Sequence, residues 1–285
     1  MKRYSLWTVL LLAVVLAAVA YLRLREAPRE ASEALPAEPV PEAAPEPRYP
    51  IPAPDADGGT APGAAVEGGE GDVVDGEPSA AAGPLPALNR SDPPLLDALA
   101  GILGAEPLRE LLQLDEFVRR FVVTIDNLPR KKLPRRQLVA KPVAGTFLAS
   151  PADGETWTIS PDNAARYTPY VRLATAADTG RLAAFYLRYY PLFQEAYAEL
   201  GYPDAYFNDR LVEVIDHLLE TPEVEGPIRL VRPHVFYQYA DPELEALSAG
   251  QKTLLRMGNA NAAEIKAKLR ALRDAVTRGP SSDSD

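Results

Sequence analysis

The chain changes texture twice along its length. Leu6 to Leu22 is an apolar run broken only by Thr8. From Glu26 to about Arg90 there is no apolar periodicity at all. From Ser91 to Arg278 apolar residues return, mostly three and four apart, the spacing of amphipathic helices. Leu95, Leu96, Leu99, Ile102 and Leu103 predict a first helix, with Asp92 as its cap, Pro93 at its first position and Gly104 as its stop. A short helix follows over 107–112. A stronger one begins at Asp115, carries Phe117, Val118, Phe121, Val122 and Ile125 on one side, and ends before Pro129.

The period then shifts. Thr146-Phe147-Leu148 and Thr156-Trp157-Thr158-Ile159 read as strands joined by a turn at Pro151-Ala152-Asp153-Gly154, and Ile228 to Tyr239 is a second β-rich stretch suited to the same sheet. Helices are expected over 162–173, 177–200, 204–220, 242–257 and 262–277. Pro191 should kink the second of these, and Asn261 with Glu264 gives the last a capping-box-like start. The expected fold class is therefore mainly α. It is a multi-helix globular domain over 91–278 with a small β-hairpin or short antiparallel sheet, preceded by one transmembrane helix and a disordered linker.

The apolar run of residues 6–22 would span about 25 Å as a helix, close to a hydrocarbon core. Trp7 and Tyr21 stand at its ends, with Lys2, Arg3, Arg23 and Arg25 beyond them. Ala18-Val19-Ala20 also fits a signal-peptide cleavage site, but the run is long for such a segment, so an uncleaved anchor over 1–25 is expected. The positive-inside tendency places the amino end in the cytoplasm and the domain in the periplasm.

Charge sharpens the division. Residues 26–90 hold 13 acids against 3 bases, while residues 91–285 are nearly balanced. The acidity of the protein is thus largely that of a Pro-, Ala-, Gly- and Glu-rich linker with one aromatic residue, Tyr49. Such a segment buries too little apolar surface to offset its ordering entropy. Residues 279–285 read as a disordered tail. The chain has no cysteine, which removes disulfides, thiolate metal sites and thiol nucleophiles. Phosphate-loop, dinucleotide-binding, zinc-protease and serine-hydrolase motifs are missing as well. The two histidines, His217 and His234, fall in different elements. No cofactor, metal site or catalytic set is expected.

The phrases DNLPRKKLPRRQL, SPDNAARYTPYVRL, YYPLFQEAYAELGYPDAYFNDRLVEVIDHLLETPEVEGPI and ADPELEALSAGQKTLLRMGNANAAEIKAKLRALR resemble, in this order, the bacterial family called domain of unknown function 3014. The resemblance covers roughly residues 88–277. It implies a bacterial envelope setting and an architecture of membrane segment, Pro-rich linker and domain. It carries no activity, cofactor or site residue.

Three groups of residues stand out chemically. Ten of the 13 tyrosines lie between Tyr167 and Tyr239, interleaved with arginine. Arg166, Tyr167, Tyr170, Arg188, Tyr189, Tyr206, Asn208, Asp209 and Arg210 form either a ligand groove or a hydrogen-bonded interior. Arg130, Lys131, Lys132, Arg135 and Arg136, with Lys141 beyond, form a cationic loop, either solvated or suited to anionic lipid or an acidic envelope polymer; nucleic acid is not expected outside the cytoplasm. The acidic linker is expected to fold back on this loop and compete with such a partner. Asp209, Glu213, Asp216 and Glu220 lie within about 60° on one helix face. They suit either an ordinary solvated face or acid–base chemistry on a glycan or lipid. Together these features point to a membrane-anchored envelope binding or scaffold module. Alternatives are an envelope enzyme using the acidic face and a small-ligand sensor using the Arg–Tyr region.

Overall fold

The computed structural model describes residues 46–51 and 84–278. The expected anchor over 6–22, most of the linker and the tail 279–285 lie outside the described residues. No helix among the described residues is long and apolar enough to cross a membrane.

The domain is mainly helical with a small antiparallel sheet. The helices are α1 (Asp92–Leu103), α2 (Ala105–Leu111), α3 (Phe117–Asn127), α4 (Thr168–Ala176), α5 (Thr179–Glu199), α6 (Phe207–Leu219), α7 (Pro242–Ala246), α8 (Ala249–Arg256) and α9 (Asn259–Thr277). The strands β1 (Ala149–Pro151), β2 (Trp157–Ile159), β3 (Arg229–Val231) and β4 (Gln238–Tyr239) pair in chain order. Ala149 faces Ile159, Trp157 faces Leu230, and Leu230 faces Tyr239. The stretch 228–239 thus joins the hairpin's sheet.

Burial follows the apolar stripes. Phe117, Val118 and Val122 of α3 meet Tyr186, Tyr189, Leu192, Phe193 and Tyr197 of α5, and Phe207, Leu211, Val212 and Ile215 of α6. Helix α9 lies across α4, α5 and α6 and buries Val276. Tyr167, Val171, Val214, Leu218, Leu254 and Met257 make a second cluster. The sheet covers a third, of Leu230, Tyr239, Leu244 and Leu255.

Several local readings shift. Asp92 does not cap its own helix; its carboxylate accepts the N–H groups of Glu116 (2.8 Å) and Phe117 (3.0 Å), closing the start of α3. The first strand forms three residues later than its apolar triplet, and Phe147, outside it, lies 5.9 Å from the Tyr237 ring at a 50° tilt. The helix expected over 162–173 begins as a 3-10 turn, Pro161–Tyr167. Asn261 caps nothing with Glu264: it lies inside α9, which starts at Asn259, and its amide donates to the carbonyls of Met257, just before that helix, and of Ala164 in the 3-10 turn. The helix expected over 242–257 is two helices, and the second opens with a capping box in which Ser248 and Gln251 exchange bonds.

Gly250, in the first turn of α8, explains how closely that helix approaches α3. Its N–H donates to the carbonyl of Leu128 at 2.9 Å. A Cβ there would lie 3.0 Å from the same carbonyl oxygen and 2.7 Å from Leu218 Cδ2. Leu218 can move; the carbonyl can retreat only by stretching the bond that joins the elements. Gly250→Ala should cost about 1–3 kcal/mol, read as a lower urea midpoint. An unchanged midpoint would mean that the α3–α8 junction is slack.

Candidate functional site

The Arg–Tyr residues do not gather into one groove. They occupy three separate places. Arg166 clamps a loop, donating to the carbonyls of Ala144 (3.0 Å) and Gly145 (2.9 Å) and to Asn163 Oδ1 (2.9 Å). Beside it Tyr167 is buried, which pushes its hydroxyl pKa up, and Tyr170 donates to the Lys141 carbonyl at 3.0 Å. On α5, Arg188 lies over the ring of buried Tyr189, whose hydroxyl points to the Pro94 carbonyl of α1. The third place is the start of α6, with Tyr206, Asn208, Asp209 and Arg210. Two surface hollows, one beside Thr221, Lys266 and Arg270 and one beside Ala177 and Lys268, contain none of these residues.

Arg210 serves the fold. Its guanidinium donates to the Asp126 carboxylate (3.2 Å) and carbonyl (2.9 Å). Asp126 is buried, and Arg130 reaches its other oxygen at 2.6 Å. The first residue of the cationic loop is therefore tied down, and Lys131 donates to the Ala246 carbonyl. Lys132, Arg135 and Arg136 remain exposed, with no acidic side chain paired to them among the described residues. The carbonyl of Arg136 is held by Arg120 at 2.7 Å, so the loop's backbone is fixed while its charges face solvent.

The acidic face of α6 is also engaged. Asp216 takes two bonds from Arg273 of α9, at 2.5 and 3.1 Å. Glu213 is shared by Arg210 (3.6 Å) and Arg48 (3.2 Å). His217 bonds Ser248 at 2.8 Å, and His234 is exposed in the β3–β4 hairpin, so the two histidines do not meet.

Asp209 accepts two successive backbone N–H groups, from Arg48 at 2.9 Å and from Tyr49 at 2.7 Å. Asn208, 1% exposed, donates to the Tyr49 carbonyl at 2.9 Å and to the Val276 carbonyl at 3.3 Å, and accepts from the Tyr186 hydroxyl at 3.1 Å. Tyr49 and Ile51 pack half-buried against the main core. A piece of the acidic linker thus lies on the acidic helix face, not on the cationic loop. What docks is its Arg48 and its backbone donors rather than its carboxylates. Asn208 and Asp209 are candidates by sequence, but their partner, 159 and 160 positions upstream, leaves no mark near them. The available signal was Tyr49, a lone aromatic between two prolines.

A family model described as protein of unknown function (DUF3014) matches residues 117–273. The chain belongs to this family. Comparison with curated proteins and with solved structures gave no match. The matched part of the DUF3014 chain runs from the start of α3 into α9. It includes the cationic loop, the sheet and the Asn208–Asp209 edge, while α1, α2 and residues 46–51 fall outside it.

One further feature of the DUF3014 domain had no counterpart in the sequence reading. At the tip of the β3–β4 hairpin, Val235 and Phe236 are 70% and 81% exposed. The tip is held from behind: Arg232 Nε donates to the Val235 carbonyl at 3.2 Å and the guanidinium sits 5.5 Å from the Tyr237 ring centroid. Tyr237 in turn packs edge-on against Trp157 and beside Phe147.

Proposed function

We propose that this chain is a non-catalytic binding module of the bacterial envelope. In this reading residues 6–22 anchor it in the inner membrane, its amino end is cytoplasmic, and its domain docks in the periplasm on another envelope protein. The observation that carries the reading is the hairpin tip. An adjacent valine and phenylalanine, turned to solvent on a backbone braced by Arg232 and Tyr237, supply a pre-formed apolar anchor of the kind that fills a partner's pocket. The enzyme reading is weakened because Asp209, Glu213 and Asp216 are each bonded to partners within the chain. The sensor reading is weakened because its residues are spread over three places. A second docking surface, for an anionic polymer or lipid, is favoured by the exposed Lys132, Arg135 and Arg136.

A photo-crosslinking side chain placed beside Phe236 in the full-length protein, followed in living cells by mass spectrometry, tests this. One envelope protein should be recovered, and Phe236→Glu should abolish its recovery. The same substitution should leave stability within about 0.5 kcal/mol, because the side chain has little folded-state contact to lose. Recovery that persists in Phe236→Glu would discard the hairpin tip as the anchor. Recovery of polymer or lipid, lost in Arg135→Glu/Arg136→Glu, would move the binding surface to the cationic loop.

A further inference from the structure

We infer that the Asn208–Asp209 edge of α6 is a peptide-recognition clamp, with a proline-flanked Arg-Tyr segment as its ligand and residues 47–50 of the same chain as the resident copy. Three bonds read the backbone. The chain bends at Arg48–Tyr49 and turns two consecutive N–H groups onto one carboxylate, while the Asn208 amide takes the following carbonyl. Successive N–H groups pointed at one anion make a specific, charge-assisted contact that no side chain of the segment supplies.

Side chains add selectivity. Arg48 reaches Glu213, and Tyr49 inserts beside the core. Pro47 and Pro50 restrict the residues before them, so less chain entropy is lost on docking. The receiving side is built in advance. Asn208 is held by Tyr186 and Val276 as well as by Tyr49. Asp209 stands in the first turn of α6, where a carboxylate is favoured by the helix dipole.

The resident segment is also detachable in principle. In the sequence 40 residues, 52–91, separate it from α1, and the entropy of closing a loop grows only slowly with its length. A covalently attached ligand of this kind competes at an effective concentration of order millimolar.

The test uses the full chain and a fluorescein-labelled peptide of sequence EPRYPI. The wild-type chain should bind it weakly, because its own segment competes. Deletion of residues 46–51, which removes the backbone groups that Asp209 and Asn208 hold and so empties the clamp, should give saturable binding about tenfold tighter than wild type, and adding Asp209→Ala should remove at least that gain. No saturable binding by the emptied chain, or equal binding with and without Asp209→Ala, overturns the inference. Should the emptied chain fail to fold, amide exchange in the wild type decides instead. The Arg48 and Tyr49 N–H groups should be protected and lose protection in Asp209→Asn. Exchange at the rate of an open linker overturns the inference.

Discussion

Phe207→Ala should lower stability by about 3–5 kcal/mol and the thermal midpoint by roughly 10 °C. Phe207 is fully buried at the first position of α6, where three helices converge. Its ring stacks on Phe193 at 5.9 Å and 13°, meets Phe121 edge-on at 6.3 Å, and lies 5.5 Å from Tyr197. These neighbours come from α3 and α5, so no single element can relax inward to fill the space left by truncation. The backbone is fixed too: the Phe207 N–H donates to Gln194 Oε1 at 2.9 Å, and the Gln194 amide donates to the Ala205 carbonyl at 2.8 Å. A cavity that cannot collapse lies at the costly end of large-to-small changes. Urea unfolding of the purified full chain measures it. A loss below about 1 kcal/mol would show that the α3–α5–α6 junction repacks, contrary to the ring geometry.

The helical architecture was legible because amphipathic periodicity is a local signal. Phe117, Val118, Phe121, Val122 and Ile125 share one face by spacing alone, and that face meets α5 and α6. The turn at Pro151–Gly154 and the run at Thr156–Ile159 placed the hairpin for the same reason, although Pro151 is the last residue of β1, paired with Trp157, and Thr156 lies outside β2. What local reading could not supply was pairing at a distance. Asp92 looked like the cap of the helix it begins, but its carboxylate serves residues 24 and 25 positions away. Arg210 looked available for a ligand, yet Asp126, 84 positions upstream, takes it.

Density along the chain also misled where it was taken for density in space. Arg188, Tyr189 and Tyr190 are consecutive, but a helix turns about 100° per residue. Tyr189 therefore points to Pro94 while Tyr190 bonds Gln194. Apolar spacing runs on through 242–257, but the Ser248–Gln251 capping box divides that stretch into α7 and α8. Composition concealed the clamp. A segment dominated by Pro, Ala, Gly and Glu reads as featureless on average, and averaging erases a single tyrosine. The docked residues lie inside the stretch read as linker over 26–90, and Asp209 holds Tyr49 among them.

The same aromatic interior should set an alkaline limit on the fold. Burial pushes Tyr190, Tyr197 and Tyr239 up to about 12 and Tyr186 well above its ordinary value. Asp209 adds to the rise at Tyr186 and Tyr190, since a phenolate beside that carboxylate would meet a second negative charge. In the unfolded chain these hydroxyls release their protons near pH 10. Between about pH 10 and 12 the unfolded state therefore binds fewer protons than the folded state, and stability falls as pH rises. Below pH 10 both states hold the protons and the contribution is complete. The folded state cannot follow the titration cheaply, because the hydroxyls of Tyr186, Tyr190 and Tyr239 donate to Asn208 Oδ1, Gln194 Oε1 and the Lys252 carbonyl, bonds that a phenolate cannot make. Tyrosinate absorbance and far-ultraviolet circular dichroism, followed together, should rise and fall in two stages. Exposed tyrosines should ionise near pH 10 with helicity intact; the buried set should ionise only as helicity collapses. Complete ionisation before any loss of helicity would mean that the tyrosine cluster is open to solvent, and the packing of α5 against α6 would need to be reconsidered.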